Sequence, residues 1–127
     1  LSTGSSHTLK TGIEPVNGAA LLEKVLALPL YHWRYKSSPT QERHVGPMAE
    51  DFRKIFQLGQ DDKSLAPGDL AGVTLGAVQA LARKVNEREA DIAAIRARIS
   101  LLEAQMAPTG APGASGVPTK NATPAAR

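Results

Sequence analysis

The sequence predicts an α+β fold: a small helix and strand domain with a β-hairpin, followed by one long C-terminal coiled-coil helix. Three observations predict it. Apolar residues between Asn17 and Pro29 recur at helical spacing. Leu30 to Lys36 alternates apolar and polar residues with the two-residue period of a strand. A three-four apolar spacing then runs from Val78 to Met106 with no proline to break it. With 127 residues, 42% apolar and 4% aromatic, the chain can build one small core and no second one.

In chain order, residues 1–12 are rich in Ser, Thr and Gly and read as an extended or loop segment. Residues 13–68 form the small α+β domain. Within it, Asn17 caps a helix whose apolar face is Leu21, Leu22, Val25, Leu26 and Leu28, and Pro29 stops it. Tyr31, Trp33 and Tyr35 form the buried side of a first strand, and Ser37, Ser38 and Pro39 turn the chain toward a second strand at Arg43 to Gly46. Ala49 to Leu58 reads as a short amphipathic helix carrying Phe52, Ile55 and Phe56, ended by Gly59. Residues 69–106 are the long helix, with Asp69 as its cap. Residues 107–127 are dominated by Ala, Pro, Gly, Thr and Ser without periodicity and are expected to be disordered.

The long helix carries the clearest pattern. Val78, Val85, Ile92, Ile99 and Met106 occupy a positions, and Leu81, Arg88, Ile95 and Leu102 occupy d positions, so Arg88 alone interrupts the stripe. In a parallel, in-register assembly each g residue meets the e residue five places later on its neighbour. The resulting pairs are Lys84 with Glu89, Asp91 with Arg96, and Arg98 with Glu103, all of opposite charge. Such surface pairs contribute about 0.2–1 kcal/mol each, so they select partner and orientation more than they stabilise. β-branched residues at a with Leu at d favour two strands, whereas Ile at both 92 and 95 pulls toward three. The pattern alone leaves both numbers open.

Several chemistries are excluded or disfavoured. The absence of cysteine removes thiolate catalysis, disulfides and most structural zinc sites. His7, His32 and His44 share no metal-ligand spacing, so no metal and no cofactor are expected. The net charge of +3 comes from scattered Lys and Arg set near acidic residues, without the clustering a nucleic-acid partner requires. No run approaches the roughly 20 apolar residues of a membrane span, so no membrane insertion is expected. Tyr31, Trp33 and Tyr35 are assigned to packing rather than to a stacking platform. The adjacent Glu50 and Asp51 point to different sides of a helix and suit neither a glycosidase pair nor a metal clamp.

The segments TGIEPV (11–16), YHWRYK (31–36), RHVGPMAEDF (43–52) and DLAGVTLGAVQALARKV (69–85) occur in an order and spacing that resemble the endosialidase-type intramolecular chaperone family. These are auto-processing peptidase domains at the ends of phage tail fibres, tailspikes and bacterial surface fibre proteins. The resemblance extends over roughly residues 5 to 105. It implies a homotrimer that registers an upstream, β-rich fibre or stalk segment of the same polypeptide, so the partners are further copies of the chain and that upstream segment. It implies a serine peptidase that cuts itself once, with Ser5 as nucleophile, Lys10 as general base and the scissile bond between Gly4 and Ser5. Ser6 stands where the family usually has Asp. His44, inside a matching motif, is the candidate supporting residue. The trimer interface is assigned to Val78, Leu81, Val85, Ile92, Ile95, Ile99, Leu102 and Met106.

A Ser and a Lys five residues apart meet the need for a hydroxyl beside the bond and a base to take its proton, provided the lysine is neutral. The alternative is a non-cleaving trimerisation and capping module of a surface or tail fibre. The Ser at position 6 and the presence of residues 1–4 ahead of the cut favour that alternative. Beginning at Leu1, the chain is expected to be a piece of a longer polypeptide, made in the bacterial cytoplasm and placed in a phage tail fibre or on a bacterial surface. A third reading, a generic coiled-coil adaptor, makes residues 11–65 dispensable for assembly.

Overall fold

The computed structural model describes residues 4–108. It is an α+β arrangement: α1 (Gly18–Ala27), β1 (Tyr31–Trp33), β2 (His44–Gly46), α2 (Ala49–Phe56) and α3 (Pro67–Met106), preceded by a single 3-10 turn at His7–Leu9. The chain divides into two compact units, one ending at Arg88 and one beginning at Glu89. The core lies in the first. The disorder expected of the C-terminal tail falls, from residue 109 on, outside the described residues.

Local chemistry sets each boundary. The Asn17 side chain accepts the Ala20 amide at 3.1 Å and so caps α1. Pro29 lies just beyond the last turn, whose Leu28 amide returns to the Val25 carbonyl. Gln57, in the left-handed region at φ 58°, ends α2 by donating its amide to Arg53 O; the stop is therefore two residues before the expected Gly59. Gly59 has φ 88° and belongs to the loop, where Arg53 Nη1 donates to its carbonyl at 2.8 Å. Asp61 organises the rest of that loop. Its carboxylate accepts the amides of Lys63 and Ser64 and the Ser64 hydroxyl, and those bonds hold it below the usual carboxylate range.

The long helix starts at Pro67 rather than behind an Asp69 cap. The amides of Asp69 and Leu70 both return to the Ala66 carbonyl, which puts proline at the first helical position. Asp69 lies inside the first turn, where its charge is still favourable to the helix dipole.

The two strands pair antiparallel, Tyr31 with Gly46, His32 with Val45 and Trp33 with His44. The ladder is three residues long, shorter than the seven-residue alternation. Among the described residues no third strand joins it, and Tyr31 and Tyr35 stay exposed, so only Trp33 of the three aromatics is half-buried.

Three helices make the core. Phe52 and Phe56 of α2 pack with Val73 of α3, flanked by Leu21, Val25, Leu28, Ile55, Leu65 and Leu70. A second patch joins Leu22 of α1 to Ala77 and Ala80 of α3. The contact between α1 and α3 is close because small residues face it. A Cβ built on Gly76 falls 2.5 Å from Leu21 Cδ2, and one on Gly18 falls 3.2 Å from the Ala80 Cβ.

Phe52, 2% exposed, is the most deeply buried side chain described. Phe52→Ala is expected to cost about 3–5 kcal/mol, which a core this small cannot absorb. The check is the near-ultraviolet circular dichroism of Trp33 and the tyrosines during thermal melting. The variant should lose its cooperative transition, while a surface change such as Glu42→Ala should leave it in place.

Candidate functional site

Ser6 terminates the extended N-terminal chain and opens the His7–Leu9 turn. Its hydroxyl oxygen accepts the Thr8 amide at 3.2 Å and shares a 2.9 Å hydrogen bond with the Thr8 hydroxyl, while the Leu9 amide returns to the Ser6 carbonyl. The turn shortens the path between Ser5 and Lys10. Across it, Lys10 Nζ donates to Ser5 Oγ at 2.8 Å. Two residues singled out by the family resemblance are thus in direct contact. Both are exposed in the single chain.

Gly4, the residue ahead of Ser5, lies under Leu9. A Cβ built on it would fall 2.8 Å from Leu9 Cδ1, so a side chain here would require the exposed leucine to turn away.

His44 is placed elsewhere. It stacks on Trp33, its cross-strand partner, with ring centroids 4.6 Å apart, and meets the edge of Tyr35 at 5.5 Å. No hydrogen bond joins it to Ser5 or Lys10 among the described residues. The Trp33 indole nitrogen is buried in this cluster without an acceptor.

The long helix presents a second candidate surface. Val73, Ala77 and Ala80 are buried against α1 and α2, whereas Val78, Leu81, Val85, Ile92, Ile95, Ile99 and Leu102 are each about half exposed, and Met106 more so. In heptad terms α1 and α2 cover c and g positions, leaving the a/d stripe bare. Lys84, a g residue, leans within the chain toward Glu23 of α1 at 3.9 Å, both ends being largely exposed. Among the described residues no three His, Cys, Asp or Glu side chains come together to hold a metal, and no helix is long and apolar enough to cross a membrane.

Residues 5–58 match the family model described as "Chaperone of endosialidase", a peptidase family by name. These residues carry the signature of the endosialidase-type chaperone. The match begins at Ser5 and ends at the loop after α2, so it takes in the Ser5–Lys10 turn, the hairpin and the Phe52–Phe56 helix. The similarity read in residues 69–85 lies beyond the matched span. No curated protein matches the chain.

Sequence reasoning identified Ser5 and Lys10 but missed Thr8 and Leu9. The signal for Thr8 was available, because a Ser two residues before a Thr is a common side-chain-capped turn. Leu9 gave no signal. It was one apolar residue in a polar segment.

The turn predicts a specific response. Ser6→Ala removes the cap and should cost the His7–Leu9 turn about 1 kcal/mol, whereas Ser6→Asp should keep it. Amide hydrogen exchange at Thr8 and Leu9 reads this directly: faster exchange in the alanine variant, unchanged or slower exchange in the aspartate variant. Equal exchange in all three forms would show that the Ser6 side chain does not hold the turn.

Proposed function

We propose that the chain is an intramolecular chaperone that trimerises along α3, registers an upstream fibre segment, and releases itself by one cut between Gly4 and Ser5. The observation that carries this reading is the 2.8 Å contact from Lys10 Nζ to Ser5 Oγ at the first residue of the chaperone-family match. The chaperone role follows from the family. The trimer and the cut go further, and are supported by what the family resemblance implies together with the bare stripe on α3 and the Ser5–Lys10 contact.

The chemistry needs Lys10 in its neutral form. Ser5 Oγ adds to the Gly4 carbonyl carbon, closing a five-membered ring through the Ser5 amide nitrogen, while Lys10 Nζ takes the hydroxyl proton. The C–N bond then breaks, the proton passes from Lys10 to the departing Ser5 amine, and Gly4 is left as an ester on the Ser5 oxygen. Water hydrolyses that ester to a Gly4 carboxylate and restores the serine. Ser6 suits this arrangement in place of the usual Asp, because both residue types cap a turn through a side-chain oxygen.

Assembly supplies what the isolated chain lacks. A neutral lysine is favoured by removal from water, and the exposed turn would gain that cover from neighbouring copies or from the upstream fibre. Cutting would then follow correct registration. Interwound strands from three chains have high contact order, so a pre-formed trimer raises the local concentration of the strands and starts them in register. Such a device belongs in a phage tail fibre or a bacterial surface fibre.

The exposure of Ser5 and Lys10 also favours a second reading, a trimerisation and capping module that stays attached. One experiment separates them. A native upstream stalk fused to this chain is run on a denaturing gel as wild type, Ser5→Ala and Lys10→Ala. Two bands for wild type and one for each variant are expected. A single full-length band throughout, with the native fusion still trimeric, would leave the non-cleaving module.

The stripe is tested separately. Ile92→Asp with Ile99→Asp places six charges in two core layers of a trimer and should yield a monomer by sedimentation equilibrium, with the core up to Arg88 still folded. A doubly substituted chain that kept the wild-type mass would overturn the assembly reading.

A further inference from the structure

Arg88 is the single charged residue in the a/d stripe, between the Val85 and Ile92 layers. In a parallel three-chain coil the d side chains converge on the axis, so three guanidinium groups meet there. Nothing already assigned neutralises them. Within the chain Arg88 is exposed, and none of the ion pairs among the described residues involves it. Between chains, the same heptad register sets Glu89 opposite Lys84, which within its own chain also leans toward Glu23, and Asp91 opposite Arg96. Glu87 falls at c, on the outer flank.

Three like charges left without a counter-charge between apolar layers are costly, and that cost is relieved by an anion shared among them. The guanidinium group presents its donors as a planar fork that matches the oxygens of a tetrahedral oxyanion. We propose that the assembled protein binds one inorganic oxyanion of the phosphate or sulfate class on its threefold axis at the Arg88 layer. The site exists only between chains, so the anion stabilises the trimer over the monomer by mass action. Arg88 thereby sets the register as well, because any slip of one chain against the others would separate the three charges from their shared ligand. This inference rests on the trimer reading of α3 and is independent of the cut at Ser5.

The test uses the full chain in a buffer free of polyvalent anions. Sedimentation equilibrium establishes the mass, and isothermal titration with inorganic phosphate at constant ionic strength reads the site. Wild type should bind one phosphate per three chains, and its melting temperature should rise by several degrees with phosphate. Arg88→Leu completes the apolar stripe; its trimer should melt above wild type without phosphate and show no specific binding. Arg88→Lys keeps the charge but loses the fork, and should bind at least about tenfold more weakly. Equal phosphate binding by Arg88→Leu, or a wild-type trimer that binds none, would overturn the proposal. A wild-type chain that sediments as a monomer would remove the assembly reading, and the site with it.

Discussion

The packing of Phe52 and Phe56 against Val73 is the contact on which the rest of the domain depends. The hairpin has two strands and no covering layer, α1 has a single buried residue, and α2 is two turns long. None of these elements can bury an apolar face alone. The two short helices gain their stability by packing on the first turns of α3. Glycine and alanine on that helix let α1 approach closely enough for Leu22 to reach Ala77 and Ala80. A bulkier helix would have forced α1 outward and opened the space between the two patches.

That arrangement gives α3 two apolar sides with different owners. One side, at Val73, Ala77 and Ala80, is small and is consumed by the chain itself. The other, from Val78 onward, is larger and branched and has no partner among the described residues. A helix serving only its own domain has no use for the second side. Fully burying each such side chain is worth about 1.5–3 kcal/mol, so the bare stripe is a stronger driving force than the charge pairs beside it.

How much of this was legible in the sequence depended on the range of the interaction responsible. Local signals read well. Asn17 as a cap, Pro29 as a stop and the a/d stripe are each carried by residues within one or two turns, and α1 and α3 lie where those residues put them. The misplaced boundaries involved competition between neighbours. Gln57 took the left-handed position expected of Gly59 because Arg53 was free to bond the Gly59 carbonyl instead. Pro67 began the helix that Asp69 was expected to cap, since proline has its φ already set for a first helical turn. The strand was overread because alternation reports a pattern of side chains and not a partner for the backbone. With only three residues opposite, Tyr35 has no ladder to join. The candidate site was legible through the family resemblance but not as a geometry. Ser5 and Lys10 are five residues apart, which an extended chain would hold well separated, and the turn capped by Ser6 brings them together.

The exposed apolar surface extends to the candidate site. Leu9, Ile13, Val16, Leu26, Leu30 and Val45 are all more than half exposed, as many large apolar side chains as the six residues of the buried core. A unit that keeps so much apolar surface in water and has so small a core has little stability to spare. Leu9, against Gly4, adjoins Lys10 in the chain and closes the turn that brings Lys10 to Ser5. The Ser5–Lys10 contact therefore sits beside apolar surface that the described chain leaves in water.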